Sequence, residues 1–358
     1  MAAQTSAETS PTATPTGPAV ANDANEAGYV YHLSLKEKRE VDMAMLHFKG
    51  LGLDGHQISP LVFPLPTLGK TLRALAAGLH TNQPFFTIRG LNPSGLTPED
   101  TVLRYLGIAS FVANKIGAQD AYGNVFAHIR EAKYALGPQE DRPVRDSTLA
   151  SHFHTDEACD ILAMHTSGHA EEGGNHIVAS SLDVYNILCQ TRPDVIATLM
   201  APIWHFDTRG RLAWGQARPL LFEHDGRVIF NFNRQALQGI PGIEPLFLES
   251  SLSLEQMEAL NAVEAAARLV QIALHAEIGD ITFVNNFSML HARESFRDSP
   301  TQTRHLIRMW LKNSELAQTL PPPIAELNRR LFDESVKRTW NMLPKARLAF
   351  TFAERLGP

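Results

Sequence analysis

Residues 279–311 read "GDITFVNNFSMLHARESFRDSPTQTRHLIRMWL". Gly279-Asp280 supplies a turn, and "DITFVNNFSML" after it has the apolar and β-branched composition of a buried strand. His291 stands at the end of that strand, and Arg304 and Arg308 interrupt the apolar run that closes the segment. Strand-like composition recurs in "HIVASS" (176–181) and in "PLLFEHDGRVIFNF" (219–232), where two alternating apolar runs flank Asp225-Gly226. That dipeptide is the strongest short hairpin signal in the chain. Many short strands framed by a few helices predict a mainly β chain with flanking helices (α+β), its sheet closed or sandwiched, and not a parallel α/β fold.

The helices announce themselves by their starts. "LGKTLRALAAGLHT" (68–81) has helical apolar spacing and runs into "PFFTIRG" (84–90), a short strand. Thr97-Pro98-Glu99-Asp100 offers an N-cap, a proline at the first helical position and an acid in the first turn, predicting a helix to about Lys115. Ser253 with Gln256 makes a capping box before "LEQMEALNAVEAAARLVQIALHAEI" (254–278), read as one long amphipathic helix. "IAELNRRLFDESVKRTW" (324–340) reads as another.

The chain has 358 residues, 44% of them hydrophobic, enough for a sizeable core. Residues 1–28 are Ala, Thr, Ser and Pro with little to bury, which predicts a disordered tail ahead of a single catalytic domain over 29–358 that ends in a helical extension. A formal net charge of -6 offers no basic stripe for phosphates, so nucleic acid is excluded as a partner and small molecules are not. No stretch approaches the roughly 18 apolar residues of a spanning helix, and no signal segment opens the chain. The expectation is a cytoplasmic protein with no membrane partner; oligomeric assembly is left open. Cys159 and Cys189, the two cysteines, make neither a disulfide framework nor a Cys-rich zinc site. There is no Gly-rich phosphate loop, and the Asn286-Phe287-Ser288 sequon reads as accidental.

"SHFHTDEACD" (151–160) concentrates the metal-binding side chains. On a strand, residues i and i+2 share a face, so His154 and Asp156 point into one cavity, with His152 one step back as a rival ligand. Glu157 points to the other face. Asp160 lies too far along the strand, about 13 Å, to reach the same ion. Two imidazoles and one carboxylate on one octahedral face are the ligand set of a non-heme iron(II) oxygenase, with three positions left for co-substrate and oxygen. The second imidazole must come from a distant strand, and His291 is available. With 15 histidines in the chain, His-x-Asp alone is weak evidence.

Together the two segments resemble the taurine dioxygenase-like branch of the iron(II)- and 2-oxoglutarate-dependent oxygenases. The shared pattern is His-x-Asp, then "N-x-x-x-x-H-x-R-x-x-F" (Asn286 to Phe296 here), then an Arg followed four residues later by another. The looser likeness runs over about 29–312. The resemblance implies a double-stranded β-helix, or jelly roll; Fe(II), 2-oxoglutarate and O2 as cofactors; and His154, Asp156 and His291 as iron ligands. It implies further that Arg304 clamps the far carboxylate of 2-oxoglutarate, a role suited to a rigid guanidinium fork. Arg308, on the same face by period two, then holds an anionic group of the substrate or co-substrate. One departure stands out: where the family carries Thr or Ser after "GG-x", this chain has His176, so His176 takes that co-substrate contact, or Ser180 does.

The implied reaction is oxidation of an unactivated C–H bond in a small polar substrate, an amino acid or another carboxylate or sulfonate. Hydroxylation is the default, with desaturation or cyclisation open. Candidate substrate contacts are Arg308, His152, His128 and Asn231, the last sharing a face with Asn233. Arg293 is given no catalytic role, and Trp204, His205 and Arg209 read as packing and a solvated turn. The alternatives are a cupin-type metal enzyme that does not use 2-oxoglutarate, and a non-catalytic binding module on the same fold.

Overall fold

The computed structural model describes residues 26–120, 122–132, 138–156, 158–206, 217–238 and 252–343. Two sheets face each other. The larger has the order Val30–His32, Phe85–Arg89, Ile281–Asn285, Ile161–Gly168, His305–Lys312 and Lys115–Ile116, with Ala127–Ile129 also pairing to His305–Lys312. The smaller has the order Gln271–Leu274, His176–Ser180, Met289–Arg293 and Ser151–His154. Between them Leu162, Met164, Val178, Val284, Met289, Leu306 and Trp310 form a shared core. This is a jelly roll. Three helices, Leu35–Gly50, Leu68–Leu79 and Pro98–Val112, cover the outside of the larger sheet. Ser181–Thr191, Pro193–Met200 and Leu254–Leu269 cover the smaller one.

Local chemistry sets the ends. Thr97 caps Pro98–Val112 and Ser253 caps Leu254–Leu269, each through a capping box. The hairpin Leu221–His224/Arg227–Phe230 turns at Asp225 (φ 49°) and Gly226 (φ 71°), the left-handed pair that a two-residue turn of type I′ demands.

Several expectations are corrected. The long helix stops at Leu269, because Gln271–Leu274 pairs with Ala179–His176 and ladder pairing overrides the helical period there. The terminal helix is Pro322–Leu331; past it, Ser335 turns back to bond the Asp333 side chain, a local competitor of the helix. The helix expected to reach Lys115 ends at Val112. "DITFVNNFSML" is two strands, Ile281–Asn285 in the larger sheet and Met289–Arg293 in the smaller. The Asn285 carboxamide makes the turn between them by accepting from Phe287 and Ser288 N–H. The tail expected over 1–28 meets structure at its end, where Glu26–Gly28 is a 3-10 turn and Glu26 pairs with Arg89 at 3.0 Å. Residues 1–25 and 344–358, with Glu157 and Arg209, lie outside the described residues. No described helix is long and apolar enough to cross a membrane.

Candidate active site

The strand switch at 286–288 carries the chain from one sheet to the other and sets His291 directly across from His154 in the ladder. Their ring centroids are 4.1 Å apart. Asp156 does not lie on the strand, which ends at His154. Thr155 leaves the ladder to bond the Phe232 carbonyl (N–H to O 2.7 Å), and the Asn286 carboxamide holds the next residue in place. It accepts from the Asp156 N–H (2.8 Å) and donates to the carbonyls of Asp156 (2.8 Å) and Cys159 (2.9 Å). Asn286, fully buried, thus ties the carboxylate loop to the turn that leads to His291.

The result is convergence. Asp156 Oδ1 lies 3.7 Å from His154 Nε2 and 3.6 Å from His291 Nε2. All three ligand atoms fall within 4.8 Å of one another, a set able to hold one metal ion. Among the described residues Asp156 Oδ1 is buried without a hydrogen-bond partner, which is what a ligand oxygen awaiting a cation looks like. The other oxygen, Oδ2, accepts from Arg308 Nη1 (2.7 Å) and Trp310 Nε1 (2.8 Å). His154 Nδ1 lies 2.8 Å from the His152 carbonyl, a bond it makes as the N–H tautomer, leaving the Nε2 lone pair toward the cluster. Burial, then His291, pulls the His154 pKa down to about 3 and keeps the ring neutral. Burial opposes ionisation of Asp156, but Arg308 and the two imidazoles outweigh it and hold the carboxyl well below its usual range.

Arg304 lies just before the strand that carries Arg308, and both line the cavity over this cluster. Arg304 donates Nε to the Gly174 carbonyl (2.8 Å), while its Nη1 is buried without a partner among the described residues. Burial, then Arg293, lowers its pKa to about 9, so it remains a cation at neutral pH. Gly174 (φ 82°) is required there, since a Cβ would stand 2.7 Å from Arg304 Cδ. His176 lines the same space, its ring edge-on to His291 at 5.7 Å and its Nε2 buried with no partner among the described residues. Burial holds His176 well below the usual histidine pKa. An orphaned guanidinium N–H and an orphaned imidazole nitrogen beside a His-Asp-His cluster fit a carboxylate-bearing co-substrate on a metal.

Other candidates fall elsewhere. His152 shares the face of His154, but its side chain is 60% exposed and Nδ1 turns to Glu264 at 3.6 Å, so it stands at the cavity's edge and not at the cluster. His128 pairs across from Ile307, one step out of phase with the cavity-lining Ile129, Leu306 and Arg308. It bonds His305 Nε2 (3.0 Å) and the Asn341 carbonyl (2.7 Å) instead. Asn231 lies past the strand end at Phe230, and its Oδ1 accepts from Arg218 Nε (3.1 Å), whereas Asn233 lines the cavity. Ser180 Oγ caps Ser181–Thr191 and is no substitute for the Thr or Ser contact. Arg308 reaches the cavity, but its guanidinium grips Asp156 and Gln119 (Nε to Oε1 3.0 Å). Trp310, Asn286 and the cavity-lining Arg145 and Arg293 had no assigned part; of these Asn286 and Arg293, both in the spaced motif, carried a signal.

The description "Taurine catabolism dioxygenase TauD, TfdA family" matches residues 49–310. The chain belongs to that family. It is 35% identical over 331 residues to the taurine hydroxylase-like protein SAT17 of Stachybotrys chartarum, covering 89% of this chain and 85% of that one. It is 25% identical over 318 residues to the FR-33289 synthase of Streptomyces rubellomurinus, covering 85% and 90%. Solved structures share the fold. Asparagine oxygenase with Fe(II), 3-hydroxyasparagine and succinate superposes with TM-score 0.59 at 15% identity, covering 83% of this chain and 98% of that one. The non-heme iron oxygenase OrfP with Fe and alpha-ketoglutaric acid gives 0.56 at 15%, covering 80% and 94%. Family and site together make this chain a 2-oxoglutarate-dependent non-heme iron dioxygenase.

Proposed function

We propose that His154, Asp156 and His291 hold the ferrous ion, that Arg304 clamps 2-oxoglutarate beside it with His176 as a further contact, and that the product is a hydroxylated small polar molecule. The observation that carries this is the three-ligand cluster within 4.8 Å lying in one cavity with Arg304 Nη1, which has no partner among the described residues. The chemistry supplied when the ion and co-substrate are bound is coupled oxidation: one oxygen atom of O2 enters the 2-oxo acid as it loses carbon dioxide and becomes succinate, and the other enters a C–H bond.

The chain's own residues do the positioning. The His152 carbonyl fixes the tautomer of His154; Arg308 and Trp310 occupy Asp156 Oδ2 so that Oδ1 alone is presented; Asn286 fixes the loop. Arg304, steered by the Gly174 carbonyl, offers its fork to a carboxylate, a geometry that lysine lacks. The cluster lies in a recessed, largely apolar cleft with a few convergent polar groups, the setting of a small-molecule site and not of a macromolecular surface. Small amino acids and other carboxylates or sulfonates are the class this reading takes, in line with the hydroxyasparagine and arginine bound in the structural relatives. A cupin-type enzyme independent of 2-oxoglutarate has no use for the Arg304 fork, and a mere binding module need not keep three converging ligands. The test is a panel of candidate substrates with Fe(II), 2-oxoglutarate and O2: succinate release should track consumption of one class and vanish in His291→Ala. Succinate release unaffected by that substitution overturns the assignment.

A further inference from the structure

Arg304 stands one residue ahead of the strand His305–Lys312. The ladder opens with His305 opposite Gly168 and continues with Leu306 opposite Thr166, passing over Ser167. Such a bulge re-aims the side chains beside it. Gly168 permits the close approach, since a Cβ there would collide with the Thr303 carbonyl. On the loop side the Asp298 carboxylate accepts from Arg304 N–H (2.8 Å). On the strand side the neighbour that fixes the backbone is His305.

Strand alternation sends Arg304 and His305 to opposite faces. Arg304, Leu306 and Arg308 line the cavity, while Ile307, Met309 and Leu311 enter the core beneath the helices. On that outer face His305 Nε2 lies 3.0 Å from His128 Nδ1, with the ring centroids 5.2 Å apart. His128 Nε2 is 2.7 Å from the Asn341 carbonyl, which only accepts, so that nitrogen carries a proton. In the neutral ring Nδ1 is then a lone pair that accepts from His305 Nε2–H. Burial, then His128, holds the His305 pKa down to about 3, which keeps that ring neutral. Asn341 is itself seated: its carboxamide donates to the Phe126 carbonyl (2.7 Å) and accepts from Phe126 N–H (3.2 Å). Beside it Val125 N–H donates to the Thr339 carbonyl (3.0 Å). A chain of bonds thus runs from the segment after the terminal helix, through His128, to the residue next to Arg304.

We propose that His128 and His305 are positioning residues for Arg304: the imidazole pair anchors the start of the strand so that the guanidinium meets the far carboxylate of 2-oxoglutarate. The inference rests on the role given to Arg304 above, and it assigns His128 a part played from outside the cavity.

The test is anaerobic titration of the iron-loaded full chain, followed by the visible charge-transfer absorption, with two acids: 2-oxoglutarate, and 2-oxobutyrate, which can chelate iron but has no far carboxylate. His305→Leu removes the donor and keeps an apolar side chain, whereas His305→Gln keeps an N–H near the Nε2 position. His305→Leu should weaken 2-oxoglutarate about tenfold, a loss of the kind that a misplaced binding group causes, and leave 2-oxobutyrate and iron affinity within about twofold. His305→Gln should restore most of the loss. In an Arg304→Gln background His305→Leu should cost less than about twofold, because the group it positions is gone. Unchanged 2-oxoglutarate affinity in His305→Leu, an equal loss of both acids, or the same loss in the Arg304→Gln background would each overturn the inference. If His305→Leu does not fold, His128→Gln is read by the same criteria, since it keeps an N–H toward the Asn341 carbonyl and lacks the lone pair at Nδ1. A native chain that develops no band with 2-oxoglutarate would instead overturn the reaction on which the inference rests.

Discussion

Trp310→Phe isolates one hydrogen bond at the cluster. The indole Nε1 donates to Asp156 Oδ2 at 2.8 Å from a ring that is 1% exposed, and phenylalanine keeps most of that ring's packing while removing the donor. Arg308 Nη1, at 2.7 Å, still donates to Oδ2. A hydrogen bond to a charged acceptor contributes roughly 1.5–3 kcal/mol, and 1.4 kcal/mol is about tenfold in an equilibrium constant. Because the bond also orients Oδ1 toward the two imidazoles, most of that loss should appear in metal affinity, about 10- to 100-fold, the range found when outer partners of metal ligands are removed. Anaerobic competition titration with Fe(II) or Co(II) measures it. A dissociation constant within about twofold of the native value, in a variant with a native circular dichroism spectrum, would refute the reasoning that Trp310 organises the ligand.

Asn286→Ala breaks three buried bonds between the strand switch and the Asp156 loop, and the orphaned backbone groups should lower unfolding stability by about 2–4 kcal/mol in urea titration. Gly174→Ala forces a Cβ onto Arg304 Cδ at a positive φ and should weaken 2-oxoglutarate binding by roughly tenfold or more, with metal affinity unchanged; calorimetry separates the two. Asp160 is buried, and burial, opposed by Lys312 and Asn328, pushes its carboxyl up to about 6. A raised carboxyl pKa means that the fold favours the neutral form: that contribution is complete below about pH 4 and lost as pH rises through 6. Asp160→Asn should therefore be more stable than the native chain by about 3 kcal/mol at pH 8 and nearly level with it at pH 4, and an equal difference at both would contradict this.

Much of this site was legible in the chain. His154 and Asp156 were found by period two and His291 by its motif, although Asp156 reaches the cluster through a loop and not along a strand. Period two gives a face and not a depth, which is why His152 and Asn231 pointed to the right region and the wrong neighbours. His128 was lost to register: pairing with Ile307 turns it away, and register between strands far apart in sequence is not written in either one. The division of residues 281–293 was hidden because a side-chain amide, Asn285, makes its turn without glycine or proline. Trp310 looked like an apolar strand residue, and only the fold shows that its one polar atom meets Asp156.

The central claim is that two imidazoles and a carboxylate hold iron beside an arginine that binds 2-oxoglutarate. Anaerobic titration of the iron-loaded chain with 2-oxoglutarate, followed by the visible metal-to-ligand charge-transfer absorption of a ferrous ion chelated by a 2-oxo acid, tests it most directly. The account predicts a band that saturates at one equivalent, disappears in His291→Ala and needs far more 2-oxoglutarate in Arg304→Gln. A folded native chain that binds iron without developing the band, or a band indifferent to both substitutions, would contradict it.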